Sequence, residues 1–187
     1  MNKIVIISAP SGSGKSTLIS RLMEDKELRL EFSISATTRP PRGQEVDGKD
    51  YYFLTPETFR DFINANMFVE YEQVYQDRYY GTLYRELNRI SDNGNNIIFD
   101  VDVKGGINLK GKFGSNALSI FIQPPSVEEL RRRLEKRGTD SEEEIAKRVA
   151  KAEEEMSHAS QFDCIVVNDD LDIATAELRG IVGGFLK

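Results

Sequence analysis

The chain has 187 residues, of which 39% are hydrophobic and 30% are charged, and its formal net charge is −6 at pH 7. This balance predicts one globular domain with a substantial core, and it argues against a nucleic-acid partner, which would favour a basic face. The single cysteine, Cys164, excludes an internal disulfide, and the lack of Cys/His clusters excludes a zinc site. No apolar stretch has the length of a signal-peptide core or a membrane span, so we expect a cytoplasmic protein without a membrane partner.

Four short apolar runs predict buried strands of a parallel sheet. They are IVII at residues 4–7, NIIFDVD at 96–102, ALSIFI at 117–122 and CIVV at 164–167. Each run is unbroken rather than alternating, and helical patterns such as Ser16–Glu24 and Pro56–Asn64 lie between them. Repeated strand–helix units predict an α/β fold in which helices cover both faces of a parallel sheet and ligands bind at the carboxyl ends of the strands.

The first run leads into a glycine-rich turn that is typical of a phosphate-binding loop. Gly12 and Gly14 let successive backbone N–H groups converge on phosphate oxygens, and the following helix presents its positive N-terminal end. Lys15 would reach the β- and γ-phosphates of a nucleoside triphosphate, and the Ser16 hydroxyl could ligate Mg²⁺. Ala9 stands where the usual spacing has a glycine, and it is small enough for that place. The predicted loop consists of Ala9, Pro10, Ser11, Gly12, Ser13, Gly14, Lys15, Ser16 and Thr17.

Residues 33–82 do not continue the alternation of strands and helices, and they predict a small region of mixed α/β structure. Within TTRPPRG, the two prolines favour an extended, polyproline-like chain with three residues per turn. Arg39 and Arg42 would then project to the same side as a stiff clamp for a phosphate dianion, and Tyr51 could add a hydroxyl donor. A solvated basic loop is the alternative that this spacing leaves open.

The run NIIFDVD places carboxylates at the carboxyl end of a predicted strand. Asp100 could hold Mg²⁺ through a water molecule, and Asp102, two residues on, would point to the same side of the strand. The alternative is that these carboxylates only cap a loop.

Residues 126–160 predict two charged helices joined by RGTD at residues 137–140. Ser126 with Glu129, and Thr139 with Glu142, each fit the capping box of a helix start. On the first helix, Arg133 and Arg137 share one face, whereas Leu130 and Leu134 share another that we expect to be packed.

Together these segments resemble the guanylate kinase family. The matching pieces are APSGSGKST, SISATTRPPRGQEVDGKDYYF, FVEYEQVYQDRYYGT, IIFDVDVKGG, IQPPSVEELRRRLEKRGTDSEEEIAKR and VVNDDLD, which extend from residue 4 to about 172. The resemblance implies a single P-loop kinase domain with a core of residues 1–32, 83–125 and 161–187. A mixed α/β region for GMP would comprise residues 33–82, and a helical lid residues 126–160. The implied reaction moves the γ-phosphoryl group of ATP to GMP, giving ADP and GDP in purine nucleotide metabolism, with Mg²⁺ as the cofactor.

The resemblance also implies roles by position. The GMP phosphate would be bound by Arg39, Arg42, Tyr51 and Tyr80, and the guanine would face Ser35, Glu70 and Thr82, with Asp100 and Asp102 nearby. ATP would be bound by the loop together with Arg133 and Asn168, and Mg²⁺ by Ser16 and Asp100. The catalytic charges would come from Lys15, Arg39, Arg137 and Arg148. Two alternatives stay open: Tyr79 could replace Tyr80, and Asn168 could cap the helix that begins around Asp170.

The chemistry of Glu70 fits a guanine reader, because one carboxylate can accept hydrogen bonds from both N1–H and the N2 amine of guanine. Adenine has an unprotonated N1 at that edge, which would repel the same carboxylate. Two rival functions remain. One is a non-catalytic protein-binding module of the same fold, which typically lacks the loop lysine or the lid arginines. The other is a kinase for another mononucleotide, such as AMP or dTMP. The sequence does not fix the oligomeric state.

Overall fold

The computed structural model describes residues 2–137 and 141–187, except for the side chains of Val74, Tyr75 and Arg137. The described residues form two compact units. One contains Glu31–Ile97, and the other contains Lys3–Leu30 and the described part of Ile98–Lys187.

The strands are β1 (Ile4–Ser8), β2 (Leu30–Phe32), β3 (Ala36–Thr37), β4 (Tyr52–Phe53), β5 (Phe68–Tyr75), β6 (Arg78–Leu83), β7 (Asn96–Asp100), β8 (Ala117–Gln123) and β9 (Cys164–Val167). The helices are α1 (Lys15–Met23), α2 (Pro56–Asn64), α3 (Tyr84–Asp92), α4 (Val103–Phe113), α5 (Val127–Arg137), α6 (Glu142–Ser157) and α7 (Leu171–Leu186). Short 3₁₀ turns occupy Lys26–Leu28, Gly114–Asn116 and Ala159–Gln161.

A five-stranded sheet has the order β2-β7-β1-β8-β9, and the pairs β1–β8 and β8–β9 are parallel. The packing of strand β8 explains why its sequence is mostly apolar. Leu118, Ile120 and Ile122 pack into a core with α1 and α7, whereas Phe121 faces the opposite side, against Val103 of α4 and Phe162. Because both faces of β8 are buried, most of its positions favour apolar side chains. The exception inside the strand is the buried Ser119, whose hydroxyl donates to Asp163 Oδ2 at 2.9 Å. The predicted α/β fold, a parallel sheet with helices on both faces, is confirmed.

The unit of residues 31–97 contains a smaller mixed sheet in the order β4-β3-β6-β5. Strands β3 and β4 are parallel, whereas β3–β6 and β5–β6 are antiparallel. Its core is aromatic: the Phe59 ring of α2 stacks on Phe68 with centroids 4.2 Å apart and on Tyr79 at 5.1 Å. This core holds the β5–β6 hairpin against α2.

Most predicted element bounds agree with the structure to within two residues, and α2 agrees at both ends. Two details are wrong. Strand β7 ends at Asp100 rather than at residue 102. Helix α6 starts with a capping box made by Ser141 and Glu144, whereas the predicted partner Thr139 lies outside the described residues. In the described part of the chain, no helix combines the length and apolar character needed to cross a membrane.

Candidate functional site

The glycine-rich loop between β1 and α1 lines an open cavity. Gly12 and Gly14 adopt φ angles of +93° and +84°, which a side chain would strain, and Gly14 is the N-cap of α1. The turn is closed by the backbone N–H and the hydroxyl of Ser13, which both donate to the Pro10 carbonyl. The first turn of α1 holds no acidic side chain, so its positive end is available to an anion.

The cavity has a volume of about 400 Å³. Its lining comprises the nine predicted loop residues Ala9–Thr17 together with Asp100, Val101, Asp102 and Glu155. It therefore combines backbone donors, the positive end of a helix and carboxylates at the end of β7.

Lys15 places its ammonium group at the end of β7. Its Nζ lies 2.5 Å from Asp100 Oδ1 and donates to the Val101 carbonyl at 3.1 Å. The side chain is only 19% exposed, so its charge acts in a partly desolvated environment. A phosphate entering the cavity would meet a cation that neighbouring oxygens already orient.

Asp102 lies beyond the end of β7 and serves as the N-cap of α4. Its Oδ1 accepts a hydrogen bond from Gly105 N at 2.7 Å, and its carbonyl accepts one from the Ser8 hydroxyl. The expectation that Asp100 and Asp102 share one side of a strand is therefore wrong, because the strand ends between them. Both residues nevertheless line the cavity.

Glu155 of α6 is a cavity residue that sequence reasoning missed. Its side chain is 15% exposed, and its carboxylate lies 3.7 Å from Lys151 Nζ. Burial raises the pKa of the Glu155 carboxyl above its ordinary value, and the charge of Asp102 acts in the same direction. The surrounding AEEEM run resembles a solvated helix face, so no local signal identifies this residue.

Asn168 stabilises the glycine-rich loop through a hydrogen bond to its backbone. Its Nδ2 donates to the Ser13 carbonyl at 2.7 Å, and the residue is 5% exposed. A Cβ on Gly14 would lie 2.3 Å from the same Nδ2, so this position requires glycine for space as well as for its φ angle. The alternative role of Asn168 as a helix cap is wrong, since Asp170 caps α7 by accepting from the N–H groups of Asp172 and Ile173.

Of the predicted lid arginines, the two with described side chains, Arg133 and Arg148, are not among the residues that line the cavity. Arg133 Nε donates to Glu129 Oε1 at 2.8 Å, and hydrogen bonds from Arg132 and Arg133 lower the pKa of Glu129 to about 2. Arg148 is half-buried on α6, and the side chain of Arg137 lies outside the described residues. As expected, Leu130 and Leu134 are packed, in a cluster with Ile145 and Ala152 of α6.

In the unit of residues 31–97, the arginine pair is organised by a carboxylate that sequence reasoning also missed. Arg39 donates from Nη1 and Nη2 to the two oxygens of Glu45 at 2.6 and 2.7 Å, and Arg42 N donates to the same carboxylate at 2.8 Å. Arg39 is 6% exposed, whereas Arg42 is exposed. The two side chains therefore lie in different environments, and the buried Arg39 guanidinium has the carboxylate partner that a buried charge needs. Their joint role as a phosphate clamp stays a prediction.

Two tyrosines complete this cluster. The Arg39 guanidinium lies 4.7 Å from the centre of the Tyr51 ring, and the Tyr51 and Tyr80 rings lie 6.2 Å apart. Hydrogen bonds to Glu45, and then to Tyr80 and Tyr51, raise the pKa of Arg39 further above its ordinary value. Tyr79 points elsewhere, into the aromatic core beside Phe59.

Two of the residues assigned to guanine lie on neighbouring strands, and the third, Ser35, directly precedes β3. Glu70 of β5 pairs with Thr82 of β6, whose hydroxyl donates to Glu70 Oε1 at 2.8 Å. Ala36 pairs with Gly81, and one further step in this register sets Ser35 opposite Thr82. A Cβ on Gly81 would lie 2.7 Å from the Glu70 carbonyl, so glycine permits the close approach of β5 and β6 here.

Comparison with known proteins gives one consistent result. The family model described as guanylate kinase matches residues 1–183. The chain is 58% identical to the guanylate kinase of Porphyromonas gingivalis over 100% of this chain and 99% of that relative. It is 57% identical to that of Bacteroides thetaiotaomicron, over 99% of this chain and 90% of the relative.

Among solved structures, the guanylate kinase of Anaplasma phagocytophilum matches with a TM-score of 0.73 and 30% identity, covering 98% of this chain and 85% of that one. The SH3-kinase fragment of tight junction protein 3 matches with a TM-score of 0.53 and 13% identity, over 98% of this chain and 57% of that one. At that identity, the second match shows similarity of fold alone.

Proposed function

The chain belongs to the guanylate kinase family, and from this premise we propose that it transfers the γ-phosphoryl group of ATP to GMP, giving ADP and GDP. The observation that carries the proposal is the phosphate-loop cavity with the Lys15 ammonium inside it. A loop that served only to connect β1 with α1 would need neither the Lys15 ammonium group nor a helix N-terminus without acidic side chains.

On the donor side, we propose that the loop Ala9–Thr17 binds the polyphosphate of ATP. Its N–H groups and the N-terminus of α1 offer donors to phosphate oxygens, and Lys15 would move its hydrogen bonds from Asp100 to the β- and γ-phosphates. The charge that develops on the transferred group would then be met by dipoles and a cation that are already in place. Asn168 contributes by holding the carbonyl of Ser13 and thus the shape of the loop.

On the acceptor side, we propose that Arg39, Arg42, Tyr51 and Tyr80 bind the GMP phosphate. Their support is the cluster around Glu45, which brings a guanidinium and two phenol groups together. Tyr80 is preferred over Tyr79 because Tyr79 packs in the aromatic core. No general base is needed, since the attacking phosphate oxygen is already anionic.

For the base itself, we propose that Ser35, Glu70 and Thr82 face the guanine. The hydrogen bond from Thr82 to Glu70 Oε1 orients the carboxylate. That carboxylate would accept from N1–H and the N2 amine of guanine, and it would be left facing an acceptor if adenine took its place. Asp100 and Asp102 stay further candidates for contacts with GMP.

The lid arginines Arg133, Arg137 and Arg148 are proposed to add positive charge around the ATP phosphates. Arg133 is held by Glu129, and we propose that it exchanges this partner for phosphate when ATP binds. The exchange replaces one carboxylate–guanidinium pair with an equally charge-assisted contact.

The oxygen donors of the cavity fit Mg²⁺, which favours oxygen ligands and usually takes one or two carboxylates together with substrate phosphates. Ser16 and Asp100 would hold the ion, the latter through water, and both line the cavity. When bound, Mg²⁺ would neutralise charge on the β- and γ-phosphates. We also propose a cytoplasmic location, where ATP and GMP are available, and no nucleic-acid partner.

The loop lysine gives the direct test of this function. Replacing Lys15 with Ala removes the cation next to the transferred group, so we expect the rate of GDP formation from Mg-ATP and GMP to fall by at least about a hundredfold. The measurement is GDP by chromatography beside Lys26→Ala, an exposed lysine whose Nζ donates to the Met23 carbonyl. Equal rates for Lys15→Ala and Lys26→Ala, or no GDP from the unaltered protein, would contradict the proposal.

A further inference from the structure

A fully buried carboxylate lies close to the proposed guanine site. Glu86, at the start of α3, has 0% side-chain exposure. Its two oxygens accept four hydrogen bonds: from Ile34 N at 2.9 Å, from the Tyr52 hydroxyl at 2.9 Å, and from Arg89 Nε and Nη2 at 3.1 and 2.7 Å. A buried charge is a costly way to stabilise a helix start, and an apolar residue of similar size would often do as well. Packing alone therefore does not explain why this position holds a carboxylate.

The contacts of Glu86 converge on both sides of Ser35. One oxygen holds the N–H of Ile34, the residue directly before Ser35. The other oxygen holds the hydroxyl of Tyr52, whose own backbone N–H donates to the Ser35 carbonyl at 2.9 Å. Glu86 thus fixes the backbone that precedes Ser35 and the residue of β4 that hydrogen-bonds to the Ser35 carbonyl.

Arg89 fixes the carboxylate in turn. It donates twice to Glu86 and pairs with Glu31, which also accepts from Asn95 Nδ2 at 2.7 Å. The guanidinium therefore has two carboxylate partners, and its two hydrogen bonds to Glu86 hold that carboxylate in one orientation. Ser35 lies at the end of this chain of contacts and, by register, opposite Thr82.

We propose that Glu86 is a positioning residue for the guanine end of the acceptor site: through Ile34 and Tyr52 it holds Ser35 in place opposite Thr82 and Glu70. The inference rests on the proposed function. Glu86 touches neither substrate nor reacting atoms; it lowers the cost of ordering Ser35 when the base binds. Its loss should therefore weaken GMP binding specifically and leave ATP binding unaltered.

The test uses two variants of the whole chain. Glu86→Gln removes the charge, and Tyr52→Phe removes only the hydroxyl that links Glu86 to β4, so it keeps the contacts of Glu86 with Arg89 and Ile34. We expect each variant to raise the KM for GMP by about tenfold, which corresponds to about 1.4 kcal/mol. We expect the KM for ATP to change by less than about twofold. Matched controls are Glu57→Gln and Tyr84→Phe, exposed positions of the same unit.

The outcomes separate this inference from the function on which it rests. If the unaltered chain forms no GDP, both are overturned. If it forms GDP and both variants keep the KM for GMP within twofold, the positioning role alone is wrong. A fall in kcat with both KM values unchanged would also overturn it, because a purely structural residue lowers only the fraction of active protein. Should Glu86→Gln fail to fold, the Tyr52→Phe result decides.

Discussion

At the scale of single residues, the structure shows how the cations proposed to bind phosphate are held in place. Lys15, Arg39 and Arg133 each pair with a carboxylate of their own unit. Leaving such a charge buried without a partner would cost several kcal/mol, and a carboxylate also holds a geometry similar to the one a phosphate would demand. The ligand would therefore replace an internal partner rather than fill an unprepared site.

The pairing of Glu45 with Arg39 predicts a pH dependence of stability. Arg39 lowers the pKa of Glu45 to about 2 from its ordinary value of 4.5. A depressed carboxyl pKa means that the unfolded chain binds the proton more readily than the folded chain. The stabilisation is therefore complete above pH 4.5 and is lost as the pH falls towards 2.

The measurement is the free energy of unfolding in urea at a series of pH values, for the unaltered chain and for Glu45→Gln. We expect the difference between them to be largest at neutral pH and to shrink as the pH falls through this window. Glu57→Gln, at an exposed glutamate, should show no such trend. A Glu45→Gln difference that stays constant down to the lowest pH would show that Arg39 does not hold Glu45 ionised.

Asn168 offers a second prediction at this scale. In Asn168→Ala, the buried carbonyl of Ser13 loses its side-chain donor. We expect a loss of about 1–3 kcal/mol in the free energy of unfolding. The KM for ATP should rise several-fold, because the loop is less ordered, while the KM for GMP stays the same. Urea unfolding and steady-state kinetics check both, with the exposed Asn64→Ala as the control; a rise in the KM for GMP alone would refute the assigned role.

At the scale of elements, the β5–β6 hairpin depends on one glycine. A Cβ on Gly81 would meet the Glu70 carbonyl, the Tyr71 Cβ and a Phe68 ring atom, all within 3 Å. We expect Gly81→Ala to lower the free energy of unfolding by about 1–3 kcal/mol, since two of these neighbours cannot move without shifting the strand. It should also raise the KM for GMP, because Glu70 and Thr82 belong to the proposed guanine site.

Gly111 of α4 is the matched control for this prediction. An added Cβ there has nothing within 4 Å, and alanine is the better helix former by about 0.8–1.0 kcal/mol. Gly111→Ala should therefore keep or slightly raise stability in the same urea experiment. If Gly81→Ala were as stable as Gly111→Ala, the close approach of β5 and β6 could not be a constraint.

Elements were predicted well from the sequence where one physical signal dominates a short stretch. The buried strands have unbroken apolar runs, the phosphate loop has glycines directly before Lys15, and α2 has Thr55 as its cap with Pro56 after it. The contacts that were missed join distant residues: Asn168 with Ser13, Glu86 with Ile34, and Glu155 with the loop cavity. Such contacts depend on how elements pack, and a charged residue in a helix gives no local sign of them.

The capping of α6 shows a different kind of miss. Both Thr139–Glu142 and Ser141–Glu144 fit the capping pattern, and the pattern alone does not choose between registers two residues apart. In the structure, the Ser141 hydroxyl accepts a hydrogen bond from Glu144 N, and the Glu144 carboxylate accepts one from Ser141 N. Three acidic residues, Glu142–Glu144, then occupy the first turn, where the helix dipole favours them.

At the scale of the whole molecule, an acidic protein is proposed to bind two anionic nucleotides. The net charge of −6 gives no general attraction for phosphate, so recognition has to come from local groups: the loop donors with Lys15, and the Arg39 cluster. Selectivity among acceptors would then come from the base contacts rather than from charge, because every mononucleotide carries the same phosphate.

The central claim, that the chain is a kinase selective for GMP, is tested most directly by comparing acceptors. ADP release would be measured with Mg-ATP and, separately, GMP, AMP, dTMP and UMP. We predict a kcat/KM for GMP at least about a thousandfold higher than for the other three, because Glu70 would accept two hydrogen bonds from guanine alone. Comparable turnover of another acceptor would contradict the assignment of the base site. No turnover of any acceptor, in protein shown to be folded, would contradict catalysis itself and favour a module that binds protein partners.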